Sequence, residues 1–593
     1  MEPVVHVFSV RCRSPRAGVW EKLADTNLLN QHIGNARIAA TASASKDSAS
    51  RYLTRTRLGG LAVTYREEPF EWVYARAFSW RRDLEGGPMT RFEGRYTLVD
   101  ADDGGCVVSC TLTSVPRYFF MRPIVWLVQR GKVSQLRRFI ARIDEALLAH
   151  EEMTVIDAPC DRERARDLGA SLEADYGKDL VAKLVEEIAT SGDVDALRMR
   201  PFELARTWGE DRDATLRLCL GATRAGLLEL RWAVLCPSCR TVAQRIPSLA
   251  ELAAGGHCPS CDIRFGVELD RTVEATFAPH PSVRRVDDRP FCVGGPMLMP
   301  HVLTQAIARP PEAAILRVPD DAGRYRLFVR GGGVAVVDAA EGAPARVEVV
   351  TREVDGEPAL EPAQIDVAPG GEVALVAPGP LHAKLERTQW TFDAATAMHV
   401  SALPEFREQF GSDALRPGLA LKVGRVGVLF SDLVGSTALY SRVGDASAFG
   451  VVTDCLDFGR AIVEEAGGTV VKTMGDAIMA AFSDPAAAVR AGAEMVARWG
   501  AFAASKPAVA DVDIKVGVAA GPCTIVTANG VLDYFGQTVN TAARVQHLAG
   551  AREIVVAAEL CAGELEGLAV RERFEARVKG IDAPLSLVRL GLP

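Results

Sequence analysis

Apolar and polar residues alternate with a period of two along six stretches of the first 150 residues. These are VVHVFSVRC, RYLTRTRL, LAVTYREE, WVYARAFSW, RFEGRYTLV and CVVSCTLTSV, divided by Gly, Pro or Asp. Such alternation predicts half-buried strands. After the first strand, Ser14-Pro15 supplies a cap and first-turn pair for a short helix over residues 17–33. Residues 125–152 change to a helical period, with Trp126, Val133, Leu136, Phe139, Ile140 and Ile143 on one stripe. Residues 157–230 are also helical in pattern, and RPFELARTWGEDRDATLRLCLGATRAGLLELRW predicts two helices turning near Gly209 and then a strand. Residues 265–389 break into short strand-like pieces (TVEATF, AILRV, RYRLFVR, VAVVD, ARVEVV, EVALVA) between Gly and Pro. That spacing predicts a β-sandwich. A connector follows to residue 424, broken by Pro404 and Pro417.

From residue 425 the pattern is strand (RVGVLFSD), helix (446–465), two strands (TVVKTMGDAIMAAF) turning at Gly475-Asp476, helix (486–499) and strand (DIKVGVAAG). The order βαββαβ is ferredoxin-like. At 593 residues the chain has room for about four domains. Its 48% hydrophobic and 24% charged residues are ordinary for globular domains and exclude a disordered or fibrous class.

The net charge of −8 argues against nucleic-acid binding by the whole chain, but the charge is unevenly spread. Residues 1–150 hold 22 Lys and Arg against 15 Asp and Glu, giving +7 and leaving −15 for the rest. No apolar run approaches the ~18–20 residues of a membrane span. The nearest, residues 118–129, is short and cut by Arg122 and Pro123. The start, MEPVVHVFSVRCRS, lacks a secretory pattern, so the expectation is a soluble, cytoplasmic chain.

Thirteen cysteines are too many and too scattered for a disulfide scaffold. Four form two matched knuckles, Cys236-Pro-Ser-Cys239 and Cys258-Pro-Ser-Cys261, with 18 residues between them. That spacing predicts a zinc ribbon: each knuckle aims two thiolates at one ion, and four sulfurs leave no open position. The zinc is therefore expected to be structural, with no vacancy for His257. The other nine cysteines are expected to be small buried thiols.

Asp432 ends a strand and Asp476 tips a hairpin that lies beside it in a βαββαβ sheet, so the two carboxylates can face each other. Beside them Leu433 to Thr437 form a Gly-Ser-Thr loop opening onto a helix, suited to Mg²⁺ and a triphosphate. Downstream, LDYFGQTVNTAAR holds Asp533, Asn540 and Arg544, the last two one helical turn apart on one face.

Together, FSDLVGST, KTMGDAIMAAF and DYFGQTVNTAAR resemble the signature set of class III nucleotidyl cyclases. The resemblance covers the last ~170 residues in the expected order. It implies that Asp432 and Asp476, helped by the Leu433 carbonyl, hold two Mg²⁺ (or Mn²⁺) ions. One would acidify the ribose 3′-OH and the other neutralise the leaving pyrophosphate. It implies that Gly435, Ser436 and Thr437 meet the phosphates, Arg544 stabilises charge at the α-phosphorus, Asn540 orients the ribose, and Lys579 in RVKG meets the triphosphate. Lys472 and Asp533 offer the donor and acceptor that adenine needs, whereas guanylyl cyclases carry Glu and Cys there. The implied substrate is ATP and the implied assembly a head-to-tail homodimer with two sites. One departure is a short connection, PCTIVTANGVL, between Gly521 and Asp533.

The order strand, helix, several strands, long helix at the N-terminus resembles the helix-grip fold of START and Bet v 1-like proteins. It implies a cavity for an apolar or lipid-like ligand, a filled core being the alternative. The two helices and strand near Gly209 resemble a winged helix. Asp211 and Asp213 interrupt its candidate second helix and no face is densely basic, so DNA is not the expected partner. The ribbon and sandwich resemble an uncharacterised domain that often precedes bacterial cyclase domains.

The expected organisation is a multidomain α+β chain. It comprises a START-like domain (1–152), a winged-helix-like segment (153–234), a zinc ribbon (235–265), a β-sandwich-like domain (266–400), a linker (401–424) and a cyclase domain (425–593). The expected function is an adenylate cyclase regulated by N-terminal sensor domains. The alternatives are a guanylate cyclase, or a ligand- or DNA-binding regulator with an inactive cyclase domain.

Overall fold

The computed structural model describes the chain apart from residues 1, 43–51, 59–60, 355, 389–393, 402, 404, 407–420, 437–438, 440–444, 507–508, 510–511, 529–530, 562–568, 579–580, 582 and 592–593. The expected loop residue Thr437, the expected triphosphate lysine Lys579 and most of the linker lie outside the described residues.

The first strand, Val4–Cys12, pairs antiparallel with Cys106–Pro116 along its whole length, from Val4 opposite Ser114 to Cys12 opposite Cys106. A single helix was expected over 17–33, but the chain forms two, Arg16–Leu23 and Thr26–His32. Asp25 makes the break: extended in backbone, it accepts hydrogen bonds from the amides of Asn27 and Leu28 and so caps a new helix. The long helix Arg122–Ala149 closes this part, with Leu136, Phe139, Ile140 and Ile143 in the core. Trp126, expected on the same stripe, is instead exposed.

Helices Pro201–Trp208 and Arg212–Arg224 meet at Gly209, whose positive φ of 68° permits the tight reversal. Asp211 does not interrupt the second helix. It begins it, its carboxylate accepting from the Ala214 amide at 2.8 Å, and Asp213 sits in the first turn. The strand Leu228–Leu235 then pairs with Val273–Pro279, which the sequence pattern grouped with the sandwich strands. The cysteine knuckles are inserted between these two partners.

Two sheets enclose the apolar core from Leu303 to Leu385. One of them continues into the N-terminal sheet. Glu71–Val73 pairs with Val302–Ala308 (Val73 opposite Thr304), producing a single 13-stranded sheet. The Trp72 indole N–H donates to the Val302 carbonyl at 3.0 Å and fixes the seam.

In the last domain, strand Leu421–Val434 lies between Ala477–Phe482 and Asp513–Ala528. Helices Asp445–Glu465 and Pro485–Ser505 cover one face. On the other face, Val428, Phe430, Met479, Ala481 and Ile525 share one apolar core with helix Arg212–Arg224, Trp232 and Phe406. Trp232 is fully buried there, and its truncation to Ala would cost about 3–5 kcal/mol.

Candidate active site

Asp432 is brought to the end of its strand opposite Lys515. Its Oδ2 accepts from the Lys515 ammonium at 3.0 Å and from the Gln546 amide at 3.3 Å. On the other side Ser431 faces Ile478, so carrying that register on puts Asp476 beyond the same end of the neighbouring strand. Gly475, at φ +66°, makes the hairpin tip that carries Asp476. Gly435, at φ +94°, turns the chain into Ser436, and the Leu439 amide bonds the Gly435 carbonyl at 3.1 Å. Two carboxylates, a turn of backbone and a neighbouring ammonium thus gather at one edge of the sheet. Hard oxygen donors in this arrangement fit Mg²⁺ or Mn²⁺.

Lys472 and Asp533 come from different hairpins and meet in a two-point ion pair, the ammonium 2.8 and 3.0 Å from the carboxylate oxygens. The Tyr534 amide also bonds Asp533 at 2.8 Å, and the Lys472 ammonium lies 5.6 Å from the centre of the Phe535 ring.

Helix Gln537–Gln546 bears Asn540 and Arg544 on its exposed face. Its other face packs on the sheet, where Gly517 allows close approach: a Cβ there would lie 2.2 Å from the Gln546 nitrogen. Thr538 pins the helix start through a 2.7 Å bond to the Pro522 carbonyl. Gln546 reaches Asp432, and Arg544, two positions earlier, points about 200° around the helix from it. Within one chain, then, the strand register sets Asp432 and Asp476 at the same end of neighbouring strands and Lys472 pairs with Asp533, while Arg544 lies on the exposed face of the helix whose Gln546 reaches Asp432.

Lys515 and Gln546 were missed in the sequence. The available signal was weak: a lone lysine in the apolar strand DIKVGVAAG, at the position paired with the strand-end aspartate.

The four knuckle cysteines are buried, with their sulfurs all within 4.8 Å of one another. The amides of Ser238 and Cys261 donate to the sulfurs of Cys236 and Cys258. This donor set fits a tetrahedral Zn²⁺. Lys384, absent from the sequence reading, is buried on strand Leu381–Arg387 and donates to Cys261 Sγ at 3.2 Å. Burial works against its charge, yet the sulfurs of Cys261 and Cys239 hold its pKa above the usual lysine value. His257 is exposed and paired with Asp262.

A cavity of about 90 Å³ lies between the N-terminal sheet and the long helix. Phe70, Phe78, Tyr96 and Phe291 line it, together with the cations Arg57, Arg82 and Lys132. Arg82 bonds the buried Glu67 at 2.8 Å, and burial lowers the Lys132 pKa.

Residues 420–587 match the adenylate and guanylate cyclase catalytic domain, and residues 164–290 match a family of unknown function. Uncharacterized proteins of Mycobacterium tuberculosis and Mycobacterium bovis are 34% identical over 164 residues, 28% of this chain and 40% of theirs. The match therefore spans well under half the length of those relatives. Among solved structures, the adenylyl cyclase CyaB from P. aeruginosa is 25% identical, covering 29% of this chain and 95% of its own, with a TM-score of 0.27. The guanylate cyclase domain of RhGC from Catenaria anguillulae is 22% identical, covering 29% and 98%, with a TM-score of 0.25. Among the described residues, no helix is long and apolar enough to cross a membrane. The C-terminal part of the chain is a cyclase catalytic domain of the adenylyl/guanylyl class.

Proposed function

We propose that this chain is an adenylate cyclase, converting ATP to 3′,5′-cyclic AMP and pyrophosphate at a site shared by two copies. The Lys472–Asp533 pair carries the choice of base. An ammonium donates to adenine N1 and a carboxylate accepts from the N6 amino group, so the two groups that hold each other would open to take the base between them.

The shared site follows from the helix face. Arg544 and Asn540 are exposed and directed away from Asp432 of their own chain, which suits them to a partner's carboxylates. There Arg544 would donate to the oxygens of the α-phosphoryl group as charge builds on them, and Asn540 would hold the ribose. Gly435, Ser436 and Thr437 would present backbone N–H groups to the phosphates, with the Lys515 cation beside them and Lys579 on the triphosphate. Asp432, Asp476 and the Leu433 carbonyl would hold two Mg²⁺ or Mn²⁺ ions. When bound there, the ions would supply Lewis-acid activation of the 3′-OH and neutralisation of the triphosphate.

The region N-terminal to the cyclase would be regulatory. The cysteine tetrad would bind Zn²⁺ as a structural centre, and the START-like cavity, with its aromatic and cationic lining, would take an apolar or lipid-like ligand of anionic character. If delipidated and lipid-loaded protein gave identical kinetics, that regulatory role would be lost. The central test is cyclic-nucleotide production by the full-length protein with Mg²⁺ or Mn²⁺, comparing ATP with GTP and with the variant Asp432→Ala. Cyclic AMP that vanishes in the variant is expected. Cyclic GMP from GTP alone, with no cyclic AMP, would overturn the choice of base, and no product from either nucleotide would overturn the catalytic reading.

A further inference from the structure

The apolar run that is too short to span a bilayer is also uncovered. A short turn, Phe119–Met121, leads into helix Arg122–Ala149, and in the helix's first two turns only Val125 and Gln129 are buried. Phe119 is 82% exposed, Phe120 59%, Leu127 65% and Trp126 44%. The Phe119 and Phe120 rings meet edge to face, with centroids 5.7 Å apart, and Trp126 lies 5.9 Å from His6. His6 belongs to strand Val4–Cys12, and Val5 of that strand lines one recess with Phe119, Pro123 and Trp126, so the surface is continuous across two elements. Contiguous exposed aromatic surface on this scale marks a binding face.

Its surroundings are cationic. Residues 117–143 contain seven Lys and Arg and no Asp or Glu. The Arg130 guanidinium lies 5.3 Å from the centre of the Trp126 ring, and Arg122 is matched by Glu2 at 2.8 Å. We infer that this face docks on an anionic lipid bilayer, the aromatic and aliphatic side chains entering the headgroup boundary while the arginines meet lipid phosphates. Arg142 is paired with Glu151 and Lys132 turns inward to Asn35, which leaves Arg130, Arg137 and Arg138 as the exposed cations beside the apolar surface, the combination that interfacial binding without spanning requires. A second copy of this chain is the poorer occupant, because a two-fold contact would set the exposed cations Arg130, Arg137 and Arg138 against themselves.

The test is co-sedimentation of full-length protein with vesicles of phosphatidylcholine alone and of phosphatidylcholine mixed with phosphatidylglycerol. Binding to the anionic vesicles only is expected. It should fall about tenfold or more in Phe119→Ser/Phe120→Ser/Leu127→Ser, whose three positions are exposed and whose cyclase activity off the vesicles should match the parent. No binding to anionic vesicles, equal binding to neutral ones, or unchanged binding by the triple variant would overturn the proposal. So would light scattering that shows a dimer split by the triple variant, or binding of an acidic soluble protein that displaces the vesicles' share entirely. Because the readout is sedimentation, the result does not depend on which nucleotide the chain turns over.

Discussion

The Lys515 ammonium sits 3.0 Å from Asp432 Oδ2, on adjacent strands and in direct register. A cation in that position partly neutralises a carboxylate that the proposed chemistry needs for metal, and it competes with the metal for the same oxygen. It also places positive charge where a triphosphate would approach. The two effects pull in opposite directions on removal, which makes them separable.

Lys515→Gln is expected to lower the Mg²⁺ concentration for half-maximal activity about two- to fivefold, because an ion pair still open to solvent is worth roughly 0.5–1 kcal/mol. The same substitution should reduce kcat. A Mg²⁺ titration at saturating ATP reads both effects.

The Lys472–Asp533 pair predicts the outcome of a base swap. Lys472→Glu/Asp533→Cys should cut the preference for ATP over GTP by about a hundredfold, since two paired hydrogen-bonding groups are lost and reversed. Steady-state rates with each nucleotide measure the ratio.

Arg544 is exposed on the helix face opposite Gln546, the residue that reaches Asp432, so in a site shared by two copies two dead variants should complement each other. Asp432→Ala mixed with Arg544→Ala should recover about a quarter of parental activity, because half of randomly paired dimers would hold one intact site of two. A mixture as inactive as its components would place the whole site within one chain.

Lys384 is buried against the cysteine tetrad, and removing it should be costly. Lys384→Met should destabilise the zinc-loaded protein by about 3–5 kcal/mol, the usual penalty for a buried charge left without its partner. Thermal unfolding with metal analysis tests this, with one Zn²⁺ per chain expected in the parent protein.

His399 is expected to make stability pH-dependent. It lies in helix Ala397–Ser401, bonds the Thr396 hydroxyl at 2.7 Å and meets the Phe202 ring edge-on. Burial, helped by Arg212, pushes its pKa down to about 4, against 6.5 in the unfolded chain. Its contribution is therefore fully present above pH 6.5 and is lost as the pH falls toward 4. The loss is on the order of 3 kcal/mol across that window. Denaturant unfolding at pH 7 and pH 4.5 should show this loss, and His399→Gln should remove most of it.

The parts of the chain that were readable in the sequence share one property: their information is local. FSDLVGST, the Gly475-Asp476 turn and the Asn540–Arg544 spacing each lie within a few residues, and the βαββαβ order follows from period alone. The cysteine knuckles are readable for the same reason. What was hidden depends on partners far along the chain. Nothing near Glu71 signals that its strand joins Val302–Ala308, and nothing near Lys384 signals a sulfur 123 residues away. Asp25 and Asp211 were ambiguous, because an aspartate can interrupt a helix or start one, and only backbone geometry decides. Trp126 fits the helical stripe by spacing, but in that turn the sheet takes Val125 and Gln129, and Trp126, one position round from Val125, is left outside.

The apolar core shared by Trp232, Phe406 and the open face of the last sheet has a practical corollary for dissection. Severing the chain before Leu421 would strip the cover from Val428, Phe430, Met479 and Ile525, leaving greasy surface where the intact protein has interior. An excised catalytic fragment would thus report on its own stickiness as much as on its release from control. Sensor swaps made at that junction would inherit the same fault, so the seam for grafting lies elsewhere in the chain.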